Sequence, residues 1–174
     1  MLKKAMFVFL LLWILPAVAS PPSLMGKNQL SLNGSLDYQG ANGDDIEIRV
    51  GYGWFLRDDL LFGGEYLWKL TEDIAPGDYR SQQGSVVVEK LFLGDGALVP
   101  YIGAEAGFRN SDFGDFNESG LVLGARGGAR YFLSDSVSID ASLVFLSAAK
   151  DVFIVDYKAE SQYIYPSFGL KAVF

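Results

Sequence analysis

Ile46-Glu47-Ile48-Arg49-Val50-Gly51-Tyr52-Gly53-Trp54 alternates at period two, with every even position large and apolar and every odd position charged or glycine. Such alternation places the two sets on opposite faces of a β-strand. A soluble sheet shows alternation too, but its second face carries a dense cover of Lys, Glu, Thr and Ser. Here the second face holds isolated charges and glycines in mid-strand. That is the inverse arrangement, apolar toward lipid and polar toward an interior, over strands of about 9–11 residues. Lipid offers no partner to backbone N–H and C=O groups, so strands that face it must close into a barrel.

The pattern repeats along the chain. Apolar or small residues recur at Leu30–Tyr38, Leu60–Trp68, Ile102–Phe108, Leu121–Tyr131, Val137–Phe145 and Ile164–Phe174, interleaved with polar, charged or glycine positions. Around Ser81–Phe92 the pattern is less clean: Val86 and Val88 outward put Glu89 inward and Lys90 outward near a strand end, where a long stem can snorkel. The expectation is an all-β, eight-stranded antiparallel up-and-down transmembrane β-barrel. Connections read as short at Gln39–Asp45, tight at Arg57–Asp59, Gly94–Ala97 and Ser134–Ser136, and long at Lys69–Arg80, Arg109–Glu118 and Ser147–Glu160. Tight turns are expected on the periplasmic side and long loops outside. Tyr52, Trp54, Tyr131 and Phe174 then fall near the periplasmic ends, and Tyr66, Trp68, Phe108 and Phe145 near the outer ends, as two interfacial girdles.

Outward from this core, the first residues read as an address. Lys3 and Lys4 precede the apolar run Ala5–Leu15; Pro16 breaks it, and Ala17-Val18-Ala19 supplies a small-x-small cleavage pattern. This predicts a secretory signal peptide over 1–19, cut after Ala19, and a barrel domain over 20–174. Composition agrees with an exported, non-enzymatic chain. The 174 residues include no Cys and no His, and the formal net charge is −7. Thiolate and imidazole chemistry is thereby excluded, and an acidic chain is a poor partner for nucleic acid.

Three stretches resemble the small eight-stranded outer-membrane barrels, the OmpA transmembrane domain, OmpX, OmpW and opacity-protein kind. They are Gly53-Trp54-Phe55-Leu56-Arg57-Asp58-Asp59-Leu60, Pro100-Tyr101-Ile102-Gly103-Ala104, and Gly128-Ala129-Arg130-Tyr131-Phe132-Leu133-Ser134-Asp135-Ser136-Val137. The C-terminus, with Ser167, Gly169, Ala172 and terminal Phe174, resembles the assembly signal of such barrels, Ala172 being smaller than the usual occupant. The resemblance implies location in the outer membrane of a Gram-negative-type bacterium, in contact with its lipid and lipopolysaccharide. It also implies the barrel-assembly machinery and periplasmic chaperones as partners in biogenesis. The family's lipid A-modifying enzymes depend on a His beside a Ser, so their mechanism does not carry over to a His-free chain.

The inward parity holds Asp37, Glu47, Glu65, Glu89, Glu105 and Asp140 with Arg49, Arg126, Arg130 and Lys171. Arg130 and Asp140 are equidistant from Asp135 within a turn, and Arg49 and Glu65 from Arg57, so each pair is expected face to face. Glu105 and Arg126 fall at mid-height on neighbouring strands, and Lys171 lies beside Asp140. Two readings of this lumen charge network stand. In one, opposite charges plug an interior only just wide enough for side chains. In the other, the inward glycines Gly51, Gly53, Gly103, Gly107, Gly124 and Gly128 leave room for a narrow porin-like passage. No catalytic, cofactor or metal site is read.

The outer loops carry Asp44, Asp45, Glu72, Asp73, Asp78, Asp112, Asp115, Glu118, Asp151, Asp156 and Glu160, a solvated repulsive surface or a site for divalent cations bridging lipopolysaccharide. Phe113, Phe116, Val152, Phe153 and Ile154 are expected either to extend the strands above the membrane or to form an adhesive surface for an unknown ligand.

Overall fold

The computed structural model describes residues 22–40, 43–71, 79–113, 116–155 and 158–174. The signal-peptide segment with Ala17 and Ala19, and loop acids such as Glu72, Asp73, Asp78, Asp115 and Asp156, lie outside the described residues. The strands are β1 (Asn28–Gly40), β2 (Gly43–Arg57), β3 (Leu60–Thr71), β4 (Tyr79–Leu91), β5 (Leu98–Phe113), β6 (Phe116–Phe132), β7 (Val137–Ala148), β8 (Phe153–Val155), β9 (Lys158–Glu160) and β10 (Gln162–Val173). Eight of them close a barrel in the order β1-β10-β7-β6-β5-β4-β3-β2, while β8 and β9 form a separate small hairpin.

Burial is inverted relative to a soluble protein. Leu143, Ile164, Phe168 and Leu123 are more than half exposed on the outer wall, whereas Arg130 and Lys171 are 1% exposed inside it. Period two explains both, because each strand gives one parity to the outside and the other to the lumen. All eight alternating segments face as their parity requires wherever their side chains are described. Lys90 faces outward at its strand end and pairs with Asp59 of the β2–β3 turn.

Connection lengths depart from expectation. β5 and β6 continue up to the pair Phe113↔Phe116, so 109–113 and 116–118 are extended strand rather than part of a long loop. On the opposite end the β4–β5 connection spans 92–97, longer than the turn expected at 94–97. One strand pair is also shifted. The β2–β3 turn centres on Asp58 and Asp59, and a bulge between Phe55 and Arg57 takes back one residue, so Arg49 lies opposite Leu67 and Glu65 opposite Gly51, two residues from the register that symmetry about Arg57 would give.

The barrel's closing seam is short. β1 pairs with β10 only from Gln29↔Val173 to Gly34↔Phe168, although β10 pairs with β7 along Gln162–Ala172. Asn28 and Phe174 exchange both hydrogen bonds, at 2.8 and 3.0 Å. Every second residue up β10 therefore points its N–H at β1, and Pro166 falls on that parity. Proline has no N–H, so the ladder loses its donor at the next hydrogen-bonded position.

Candidate functional site: the charged lumen

Inside the barrel, polar side chains from most of its strands converge in layers. In the middle layer Arg126 of β6 forms a two-pronged contact with Glu65 of β3, Nη1 to Oε1 at 2.9 Å and Nη2 to Oε2 at 2.7 Å. The same guanidinium donates to Glu105 of β5. Arg49 of β2 donates through Nη1 to Glu65 and to Glu105, each at 2.9 Å, and through Nη2 to the Tyr165 hydroxyl. Gln83 Nε2 completes Glu105, donating to Oε1 at 3.0 Å.

A second layer lies toward the end that carries the chain termini. Arg130 donates to Glu89 and, through Nη1, to Gln29 Oε1 at 2.8 Å. Its Cα partner across the β6–β7 hairpin is Asp140, at 3.6 Å from Nε, an ion pair too long to be a hydrogen bond. Asp140 is held instead by the Tyr101 hydroxyl, which donates at 3.0 Å, and by Lys171 Nζ at 3.3 Å. Lys171 also reaches Glu89 Oε1 at 3.5 Å. The Tyr101 ring carries both cations against its face, Arg130 at 5.0 Å and Lys171 at 5.1 Å.

The structure thus joins Arg49, Glu65, Glu89, Glu105, Arg126, Arg130, Asp140 and Lys171 into one connected set. Glu47 stands apart from it, buried, with Oε2 lacking a hydrogen-bond partner among the described residues. The side chain of Asp37 is not among those described. Arg109, Lys69, Gln83, Tyr79, Tyr101 and Tyr165 belong to the lumen as well, and sequence reading missed them in this role. Parity places all six inward; Lys69 and Arg109 stand four residues beyond Glu65 and Glu105, on strands that continue past the expected loop bounds.

The inward glycines make room for these side chains. A Cβ on Gly51 would lie 2.8 Å from Glu65 Cγ, one on Gly124 2.6 Å from Glu105 Cγ, and one on Gly103 3.0 Å from Arg126 Cγ. At these three the space is filled by a long charged neighbour, whereas at Gly107 and Gly128 the neighbouring strand's backbone and Ser85 or Ser142 come close. A cavity beside the network, lined by Gln29, Ser31, Gly51, Gly53, Leu61 and Glu65 among others, measures about 10 Å³, room for one water.

Apolar clusters lie at both ends of the lumen. At the termini-bearing end Leu24, Phe55, Leu61, Leu91, Val99, Tyr101, Phe132 and Val173 pack together. At the other end Val152 and Phe153, from the segment joining β7 to β10, are buried with Val122, Val144, Leu146 and Tyr165. Phe153 lies 4.9 Å over the Arg109 guanidinium, and the Ser111 hydroxyl donates to the Val152 carbonyl at 2.6 Å. Val152 and Phe153 are therefore an inward cap and not an adhesive surface. Phe113 and Phe116 do extend their strands. Outside the lumen, Lys150 Nζ meets Glu118 at 3.1 Å. The C-terminal residues divide by parity: Ser167 and Gly169 face inward, and Ala172 and Phe174 outward.

Among the described residues no three acidic side chains are grouped to hold a metal ion. No family model matches the sequence, and a comparison with curated proteins finds no match. Among solved structures the chain is similar to the crystal structure of Neisserial surface protein A, with a TM-score of 0.61 at 17% identity over 85% of this chain and 95% of that one. It is similar to the outer membrane protein Ail of Yersinia pestis in a nanodisc, with a TM-score of 0.53 at 15% identity over 86% and 99%. It is similar to the outer membrane protein OprG of Pseudomonas aeruginosa, with a TM-score of 0.52 at 9% identity over 88% and 98%. The fold of this chain is that of the small eight-stranded outer-membrane β-barrels.

Proposed function

We propose that the protein is an integral outer-membrane barrel that carries neither flux nor chemistry through its lumen, and that acts as a structural and surface-interaction element of the envelope. The observation that supports this most directly is the ion-pair layer spanning the lumen, in which Arg126 reaches from β6 to Glu65 on β3. A pore needs hydrated space at mid-height, whereas here the guanidinium and carboxylate groups touch one another across it. An enzyme needs a nucleophile or a free acid or base, and among the described lumen carboxylates Glu65, Glu89, Glu105 and Asp140 are each in contact with a cation. In this reading the termini-bearing end faces the periplasm. The outer wall contacts lipid and lipopolysaccharide, and the barrel-assembly machinery reads the strand ending in Phe174. Interaction then falls to the end bearing the β8–β9 hairpin, whose Lys158, Ala159 and Glu160 are exposed. The name of Neisserial surface protein A points the same way.

The test combines membrane fractionation with a swelling assay. The protein should sediment with outer membranes, and vesicles containing it should swell in small sugars no faster than lipid alone. Swelling at a porin-like rate would overturn the closed lumen; recovery in another membrane would overturn the location.

A further inference from the structure

Residues 22–27 precede β1 and form no part of the barrel wall, yet Leu24 is fully buried while Met25 beside it is 66% exposed. Leu24 packs with Phe55, Leu91, Val99 and Phe132, which come from the ends of β2, β4, β5 and β6. One side chain from outside the wall therefore fills the mouth that those inward-facing residues surround.

The segment is held there by a defined set of hydrogen bonds. Asp58, in the β2–β3 turn, accepts at Oδ1 from the Leu24 N–H at 2.7 Å, the Met25 N–H at 2.8 Å and the Ser23 hydroxyl at 3.1 Å. Three donors on one oxygen call for a carboxylate's charge. The neighbouring charges do not compete for it, because Asp59 engages Lys90 and Arg57. The Lys27 N–H donates to the Leu24 carbonyl, and the Gly26 N–H to the Phe55 carbonyl, both at 2.9 Å. Gly26 has φ +78°, a left-handed conformation that turns the chain from the plug back into β1.

We propose that residues 22–27 are a plug that seals the termini-bearing mouth, with Leu24 as its stopper and Asp58 as its latch. Its consequence lies one layer up. Tyr101 belongs to the same apolar cluster and donates to Asp140, so the plug separates the Glu89–Arg130–Asp140–Lys171 layer from water. Ion pairs kept dry are stronger than ion pairs reached by solvent.

The chain has no cysteine, so single-cysteine probes report cleanly. In the refolded full-length barrel, Leu24→Cys should react with a membrane-impermeant maleimide at least about tenfold more slowly than Met25→Cys. Adding Asp58→Ala should bring the Leu24→Cys rate up toward that of Met25→Cys, in barrels shown to be folded by their shifted mobility on an unheated gel. A second measurement leaves position 24 untouched: the Leu24 and Met25 amides should be protected from hydrogen exchange in the unaltered protein and lose that protection in Asp58→Ala. Equal labelling of the two cysteines in the folded barrel, or amide protection unchanged by Asp58→Ala, overturns the plug and its latch.

Discussion

Lys171 of β10 and Glu89 of β4 stand on diametrically opposite sides of the barrel, four strands apart in either direction, and their charged groups meet at 3.5 Å. These two side chains reach each other across the full width of the lumen, the contact on which the proposed closed lumen rests. One layer away Arg126 and Glu65 meet from β6 and β3, three strands apart. These contacts oppose ions of unlike sign in a water-poor interior, where an unpaired charge is costly.

Arg126 touches three carboxylates, Glu65, Glu89 and Glu105. Arg126→Met should lower the unfolding free energy by about 3–5 kcal/mol, since it takes one buried cation from three buried carboxylates and leaves them only Arg49, Arg130 and Lys171 to share. Adding Glu65→Gln should recover part of that loss, giving a coupling of about 1 kcal/mol or more in a double-mutant cycle. Urea unfolding followed by gel mobility measures both, and a single-variant cost under about 0.5 kcal/mol would mean that the network does not hold the barrel.

Glycines of the two parities should respond oppositely to a methyl group. A Cβ on Gly107 would lie 2.4 Å from the Gly84 carbonyl oxygen, a backbone atom that cannot swing away, whereas one on Gly127 meets nothing within 4 Å. Gly107→Ala should reduce the folded yield and lower stability by about 1–3 kcal/mol, while Gly127→Ala leaves both unchanged. Refolding yields of the two variants side by side decide it.

The plug's dependence on pH follows from Asp58. The Met25 and Leu24 N–H groups, followed by the Ser23 hydroxyl, hold its carboxyl below the ordinary carboxylate range. A carboxylate lowered on folding contributes stability that is complete above its unfolded pKa of about 3.9 and is lost as pH falls through the folded value. Arg57, Asp59 and Lys90 flank the turn, and Asp59 is itself lowered, chiefly by the Lys90 hydrogen bond. Protection of Leu24→Cys should therefore be flat from neutral pH to about pH 4 and fail only in stronger acid.

At the other mouth, Phe153 anchors the segment between β7 and β10 over Arg109. Phe153→Ala should free that cap without opening the wall. Trypsin should then cut after Lys150 or Lys158 several-fold faster than in the unaltered protein, while the barrel keeps its folded mobility on an unheated gel.

Much of this was legible in the sequence because lipid and lumen impose opposite demands on alternate residues. Ile48 and Arg49 could not exchange faces without exposing a charge to lipid, so parity fixes which side each takes. Arg130 and Asp140 are read as neighbours because their turn is regular, and the register does pair them. Arg49 and Glu65 are displaced because the turn centres on Asp58 and Asp59 rather than on Arg57, and the bulge between Phe55 and Arg57 takes back only one residue of the difference. They still meet, since both side chains are long enough to span the two-residue shift. Strand ends were less legible. Above the membrane nothing demands an apolar outer face, so Arg109 and Lys69 read as loop while their strands continue. Leu24 and Phe153 depend on segments folding back over the mouths, a tertiary outcome that periodicity does not encode. Pro166 was readable but passed over: a proline inside a barrel strand marks a break in one ladder.

The most direct test of the closed lumen is single-channel conductance of the refolded barrel in a planar bilayer. A closed lumen gives an electrically silent membrane at neutral pH, with current appearing only when Arg126 or its carboxylate partners are replaced. A reproducible conductance from the unaltered, folded protein, changed in ion selectivity by Arg126→Ala, would contradict it and make the lumen a pore.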